Sequence, residues 1–283
     1  MYLHSFTFPN DDMESNFIMN EKRTVYDSFY PFKVLSRKEV ETITFDPITI
    51  FYGGNGSGKS TALNIIAEKL AVQRDAIYNK TNFFPDYIQL CDMQLRREIP
   101  DNSRIITSDD VFDYLLNIRH LNEGIDARRA EVFEEYLDAK YANFQLKSLE
   151  DYDELKKMND ARRKTQSRFV RSELMDNIRE YSNGESAFRY FTEKIEDNGL
   201  YILDEPENSL SPERQVELVK FIEDAARFFG CQFIISTHSP FLLSMQGAKI
   251  YNLDRHPVQV ERWTELENVR TYYEFFMKHA NQF

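Results

Sequence analysis

Phe51–Thr61 reads FYGGNGSGKST, and within it Gly53, Gly58, Lys59 and Ser60 stand at the spacing G-x-x-x-x-G-K-[S/T]. The β-rich run Ile48-Thr49-Ile50-Phe51 precedes it, and the helical run from Ala62 to Leu70 follows. A strand, a glycine-rich turn and a helix in that order form a phosphate cradle, a P-loop. Its glycines let successive backbone N–H groups turn inward, and the helix presents its positive end to the same anion. In such a loop Lys59 reaches the β- and γ-phosphates and the Ser60 hydroxyl ligates Mg²⁺.

Outward from this stretch, the chain of 283 residues is 42% hydrophobic and 29% charged, enough for one large core with an insertion. No basic start followed by an apolar run is present, and no apolar segment reaches membrane-spanning length, so a cytoplasmic protein without membrane insertion is expected. Cys91 and Cys231, the two cysteines, lie far apart and outside any C-x-x-C spacing, which argues against disulfides and zinc and for buried free thiols. A net charge of −12 gives no global attraction to nucleic acid, so nucleic-acid binding requires a local basic patch.

Before the P-loop, Tyr2–Pro9 alternates as a strand, Asn10–Asn16 reads as a polar, acidic loop, and Glu41–Phe45 reads as a further strand. Two strands ahead of the P-loop predict antiparallel strands added to a parallel core in one mixed sheet. After the P-loop helix, Tyr87–Cys91 and Arg104–Thr107 read as short strands, and Ser108-Asp109-Asp110 opens a helix with oxygen side chains at its start.

From Val111 to about Arg179 the sequence is charged and helical, with Phe133, Tyr136, Leu137, Phe144, Leu149, Tyr152 and Leu155 at roughly three-to-four spacing. This predicts a helical subdomain inserted over 111–180 within a single 1–283 domain. Arg162, Arg163, Lys164, Arg168 and Arg171 cluster there, as a solvated helix face or as a phosphate-binding patch.

GLYILDEP, Gly199–Pro206, reads as a buried strand ending in Asp204-Glu205. Strand ends are where open α/β sheets meet their ligands. Asp204 suits a Mg²⁺ shell, and Glu205 is placed to orient and deprotonate a water. A second run, Gln232–Ser236, ends in Thr237-His238-Ser239-Pro240; if its strand neighbours that of Asp204, His238 reaches the γ-phosphate and the attacking water.

Between these lies Tyr181-Ser182-Asn183-Gly184-Glu185-Ser186. With four segments in this order the chain resembles an ABC-type ATPase domain, YSNGES standing where that superfamily carries LSGGQ. Glu185, the run DEPENSLSP and the ending STHSP resemble the SMC, RecF and break-repair group and small bacterial AAA family ATPases more than transporters. The resemblance implies an α/β P-loop NTPase with an ABC-ATPase-like mixed sheet flanked by helices. It implies ATP and Mg²⁺ as cofactors, and a homodimer forming head to tail on ATP binding.

By that resemblance Gly53, Gly54, Asn55, Gly56, Ser57, Gly58, Lys59, Ser60 and Thr61 bind the nucleotide. Ser182, Asn183, Gly184 and Glu185 cap it from the second subunit. Ser60 and Asp204 hold the metal, Glu205 is the base and His238 the switch histidine. Asp109 is the best substitute for the Q-loop metal contact, ahead of Gln89 and Gln94. Ser211 replaces the D-loop aspartate, and the adenine-stacking ring falls between Tyr26 and Phe32. Hydrolysis coupled to a nucleic-acid or protein partner, in defence or mobile-element maintenance, is the leading expectation. A transporter's nucleotide-binding subunit and a slow nucleotide-sensing scaffold are the alternatives.

Overall fold

Continuous apolar runs are the mark of strands covered on both faces, and the chain's centre is built from them. In the computed structural model, β3 (Ile48–Tyr52), β6 (Leu200–Asp204) and β7 (Gln232–Ser236) are buried along almost their whole length. The structure describes residues 1–23, 25–26, 28–141, 156, 159, 161, 163–165, 168–170 and 183–282.

The chain divides into two compact units, one of Met1–Phe112 with Asn183–Phe283 and one of Asp113–Ser182. In the first, a six-stranded sheet has the order β5-β6-β7-β3-β8-β9, where β5 is Arg104–Thr107, β8 is Lys249–Asn252 and β9 is Gln259–Val260. All its pairings are parallel except the edge pair β8–β9. Helix α2 (Lys59–Leu70) packs on β6 and β7.

The strands ahead of the P-loop do not join this sheet as expected. β1 (Leu3–Thr7), β2 (Thr42–Thr44) and β4 (Asp92–Leu95) form a separate antiparallel sheet of order β2-β1-β4. The reason is that both edges of β3 are taken, by β7 on one side and β8 on the other. Buried side chains join the sheets: Gln232 Oε1 accepts from the backbone N–H of Tyr2 (2.7 Å) and Leu3 (2.9 Å), and Nε2 donates to Leu3 O (2.8 Å), while Tyr251 OH accepts from Thr44 N (3.1 Å) and donates to Thr44 O (2.9 Å).

Two further expectations are corrected. Asn10–Asn16 is not a loop: Asn10 caps helix α1 (Asp11–Asn20) by accepting from Met13 N, and the acidic residues occupy its positive end. Tyr87–Cys91 is not a strand, because Pro85 sits in the first turn of helix α3 (Phe84–Leu90), which buries Phe84 and Tyr87 at helical spacing. The strand comes next, as β4.

Helix α4 (Ser108–Tyr141) starts at a reciprocal cap: Asp110 Oδ2 accepts from Thr107 N (2.6 Å), and Thr107 Oγ1 accepts from Asp110 N (3.3 Å). The rest of the first unit's helices are α5 (Asn183–Lys194), α6 (Pro212–Phe228), the short α7 (Pro240–Leu243) and α8 (Glu267–Lys278).

The second unit has its own small core of Val132, Tyr136, Ala161, Phe169 and Val170, with the Tyr136 and Phe169 rings 5.4 Å apart. Phe133 is exposed, and Phe144, Leu149, Tyr152 and Leu155 lie outside the described residues. Of the basic cluster, Arg163 and Arg168 are exposed and Lys164 half-buried, while Arg162 and Arg171 lie outside the described residues. Among the described residues, no helix is long and apolar enough to cross a membrane.

Candidate functional site

Register brings the strand ends level. Phe51 of β3 pairs with Ser236 of β7, Ser236 with Asp204 of β6, and Asp204 with Thr107 of β5. Every loop that leaves these carboxyl ends therefore opens on the same edge of the sheet.

The first loop runs from β3 to α2. Gly56 and Gly58 have φ of +77° and +94°, a region that side chains enter only with strain. A Cβ on Gly53 would stand 2.6 Å from Ser57 Oγ, and one on Gly58 3.1 Å from Leu35 Cδ2. Lys59 is buried; its Nζ donates to Gly53 O (2.8 Å) and Gly54 O (3.1 Å) and lies 3.4 Å from Glu205 Oε1. Asp254 Oδ2 accepts from Gly54 N (2.8 Å), bracing the loop from the turn after β8. On the other side Thr61 Oγ1 and Tyr30 OH share a hydrogen bond of 3.1 Å, which places one ring of the Tyr26–Phe32 group beside the loop.

Ser60 Oγ donates to Asp204 Oδ1 at 3.1 Å, and Ser236 Oγ donates to the same oxygen. Burial raises the Asp204 carboxyl above the usual carboxylate range, and the bonds from Ser236 and Ser60 oppose the rise. Ser236 was not foreseen as a site residue; a parallel register that sets it level with Asp204 is the signal that finds it.

Glu205 is in the left-handed region (φ 48°, ψ 54°), a conformation costing a non-glycine residue on the order of 1 kcal/mol. Its N–H donates to Ser236 O (3.1 Å) and Ser236 Oγ (3.0 Å), and Asn208 Nδ2 donates to Glu205 Oε2 (3.1 Å). The turn aims the carboxylate across the P-loop, where Oε1 meets Lys59 and stands 3.6 Å from His238 Nδ1.

His238 is partly exposed and held by its backbone: its N–H donates to Glu207 Oε1 (2.9 Å), and Asn268 Nδ2 donates to its carbonyl (2.5 Å). Glu207 falls in the run DEPENSLSP without a site role read from it, and Asn268 falls in no motif; both contacts are made by distant segments.

The structure does not bring Asp109 to this cluster. Asp109 is exposed on the first turn of α4 and hydrogen-bonds neither Ser60 nor Asp204. Its neighbour Asp110 turns inward and accepts from Thr107 N and from Ala76 N (2.7 Å). Gln89 and Gln94 are exposed on α3 and β4.

Ser182 lies outside the described residues, and Asn183 opens α5. A Cβ on Gly184 would stand 3.6 Å from Ser211 N and 4.0 Å from Ser209 O, so this turn rests on the loop that follows Glu205. Glu185 is in the first turn of α5. Ser211 caps α6 by accepting from Arg214 N (3.4 Å), a role that serves the helix whatever happens at the D-loop position.

A hydroxyl and a carboxylate sharing one point form a hard-oxygen donor pair, the set that Mg²⁺ takes alongside phosphate oxygens and its own waters. Among the described residues no cluster of three or more His, Cys, Asp or Glu exists that would hold a metal by protein ligands alone. The Ser60 hydroxyl and the Asp204 carboxylate are of the donor type that fits Mg²⁺.

Several solved structures resemble the chain at low identity. The Smc head domain of Pyrococcus furiosus, bound to the C-terminal domain of ScpA, is 12% identical, with 84% of this chain and 95% of that one covered and a TM-score of 0.39. The SMC head domain of Thermotoga maritima is 12% identical over 78% and 92% of the two chains, with a TM-score of 0.36. The ATP-binding cassette MJ0796, in a dimeric post-hydrolysis state with ADP and Pi, is 11% identical over 80% and 90%, at 0.35. A comparison with curated proteins gives no match. One family model matches residues 96–244, just over half of the chain, from the segment before β5 through β6, β7 and His238. By that match the chain belongs to the AAA ATPase family described as "AAA domain, putative AbiEii toxin, Type IV TA system".

Proposed function

We propose that the chain binds ATP with Mg²⁺ and hydrolyses it, and that the productive unit is two copies arranged head to tail. The observation that carries this reading is the meeting of Lys59, Ser60, Asp204, Glu205 and His238 on level strand ends, each within hydrogen-bonding or ion-pairing distance of another. In this reading the backbone amides of Gly54–Thr61 and the Lys59 ammonium bind the phosphates. Ser60 and Asp204 hold Mg²⁺, which supplies charge neutralisation on the phosphates when bound. Glu205 orients a water and accepts its proton, and His238 stands beside it as a hydrogen-bond partner of the transferred group.

Ser182, Asn183, Gly184 and Glu185 are proposed to close the site from the second copy. The described part of this turn packs on the chain's own Ser209–Ser211 segment, just after Glu205. The family's description names an AbiEii toxin of a type IV toxin–antitoxin system, and a defence role, with a protein or nucleic-acid partner coupled to the ATP cycle, is part of the proposal.

The test is a pair of variants. Lys59→Ala is expected to abolish ATP binding, whereas Glu205→Gln is expected to keep binding, lose about 10²–10⁴-fold in turnover and accumulate as an ATP-bound dimer in light scattering. Turnover by Glu205→Gln at the wild-type rate would sink the assignment. The proteins that co-purify with the trapped form would identify the partner.

A further inference from the structure

Glu207 is a buried carboxylate that the reaction above does not use. It lies in the turn Pro206–Ser209, directly after the Asp204-Glu205 pair, and is 7% exposed. Its Oε1 accepts from Thr237 Oγ1 (2.6 Å) and from His238 N (2.9 Å), and it stands 3.9 Å from His238 Nε2. Its Oε2 is buried without a hydrogen-bond partner among the described residues. Leaving a buried carboxylate oxygen unpaired is unfavourable, so stability alone gives no reason for a carboxylate here; an amide of the same shape could keep the turn.

The position of the His238 ring supplies a reason. Its Nδ1 faces Glu205 Oε1 at 3.6 Å and its Nε2 faces Glu207 Oε1 at 3.9 Å, so the imidazole lies between two carboxylates. The loop around it is gripped as well: Glu207 holds Thr237 and the His238 N–H, Asn268 holds the His238 carbonyl, and Ser239 N donates to Thr237 Oγ1 (3.0 Å).

We infer that Glu207 is a positioning residue, which ties the turn carrying Glu205 to the loop carrying His238 and orients the His238 ring toward Glu205. The two groups then advance on the nucleotide as one body. This inference rests on the ATPase reading for its consequence in turnover, and on geometry alone for the contact itself.

Two measurements test it. Glu207→Gln keeps the shape of the side chain and removes the charge that faces Nε2. Its kcat for ATP hydrolysis is expected to fall about 10–100-fold, the usual effect of losing a supporting partner, with KM for ATP and the melting temperature little changed. In a His238→Ala background the same substitution should add less than about twofold, because a residue that acts through His238 has nothing left to orient. Wild-type kcat, a parallel loss of ATP affinity, or losses that multiply in the double variant would each overturn the inference. The second measurement needs no activity: the ¹⁵N imidazole spectrum of the full chain should show the His238 Nε2 signal moving in Glu207→Gln. An unmoved signal refutes the contact. If the wild type turns over and Glu205→Gln does not, an active Glu207→Gln defeats this inference and leaves the ATPase reading standing; an inactive wild type with a moved signal does the reverse.

Discussion

Replacing Gln232 by methionine keeps the length of the side chain, so no cavity opens, but it removes the polar atoms through which β7 holds β1. Three backbone groups lose their partner: Tyr2 N and Leu3 N, which donate to Oε1 at 2.7 and 2.9 Å, and Leu3 O, which accepts from Nε2 at 2.8 Å. Gln232 is fully buried, and each buried group left unpaired costs about 1–3 kcal/mol. Three such groups place the loss between about 3 and 9 kcal/mol. Even about 3 kcal/mol is a large share of the 5–15 kcal/mol that holds a typical domain together. Urea unfolding of the wild type and Gln232→Met measures the difference, and hydrogen exchange locates it: protection should vanish first at Tyr2 and Leu3. A variant within about 0.5 kcal/mol of the wild type, the range of an ordinary surface change, would refute the view that this amide clamps the sheets.

Ser236→Ala removes the hydroxyl that donates to Asp204 and one of two acceptors of the Glu205 N–H; ATP turnover is expected to need about tenfold more Mg²⁺, and an unchanged Mg²⁺ dependence would count against the role of this pair. Glu14 is buried, its Oε2 accepting from Lys33 N (2.5 Å) and Ser36 Oγ (2.8 Å), and burial raises its pKa above 4.5 in spite of these bonds. Because the folded state then holds this proton more tightly than the unfolded state, stability falls as pH rises from 4.5 through the raised value. Glu14→Gln should flatten that part of the curve; melting temperatures with identical slopes for both proteins over about pH 4–8 would show that Glu14 carries no such linkage.

How far a segment could be read from sequence depended on how locally its physics is determined. The P-loop was legible because a phosphate cradle needs glycine at set places, and the φ of Gly56 and Gly58 shows the need. β6 and β7 were legible as continuous apolar runs, and their adjacency follows once both are assigned to a parallel core. Asn10–Asn20 was not, because the polar first turn of a capped helix has the composition of a loop. That Asp109 faces solvent turns on direction around a helix start, where its neighbour Asp110 takes the inward place and pairs with Thr107. Ser236 and Glu207 stand in the runs STHSP and DEPENSLSP and Asn268 in neither, but their contacts at the site are tertiary, so their roles could not be read locally.

β5 and β6 are direct neighbours in the sheet, yet residues 108–199 separate them along the chain. The ladder between Arg104–Thr107 and Tyr201–Asp204 fixes both ends of that excursion. For a closed loop, a tenfold greater length adds only about 2 kcal/mol of closure entropy. The crossover thus behaves as a port: the stretch 113–181, ahead of the Ser182–Glu185 turn proposed to close the site, can change in size while the edge that carries Asp204 keeps its alignment. A lineage could exchange what that stretch holds without rebuilding the chemistry on the edge of the sheet.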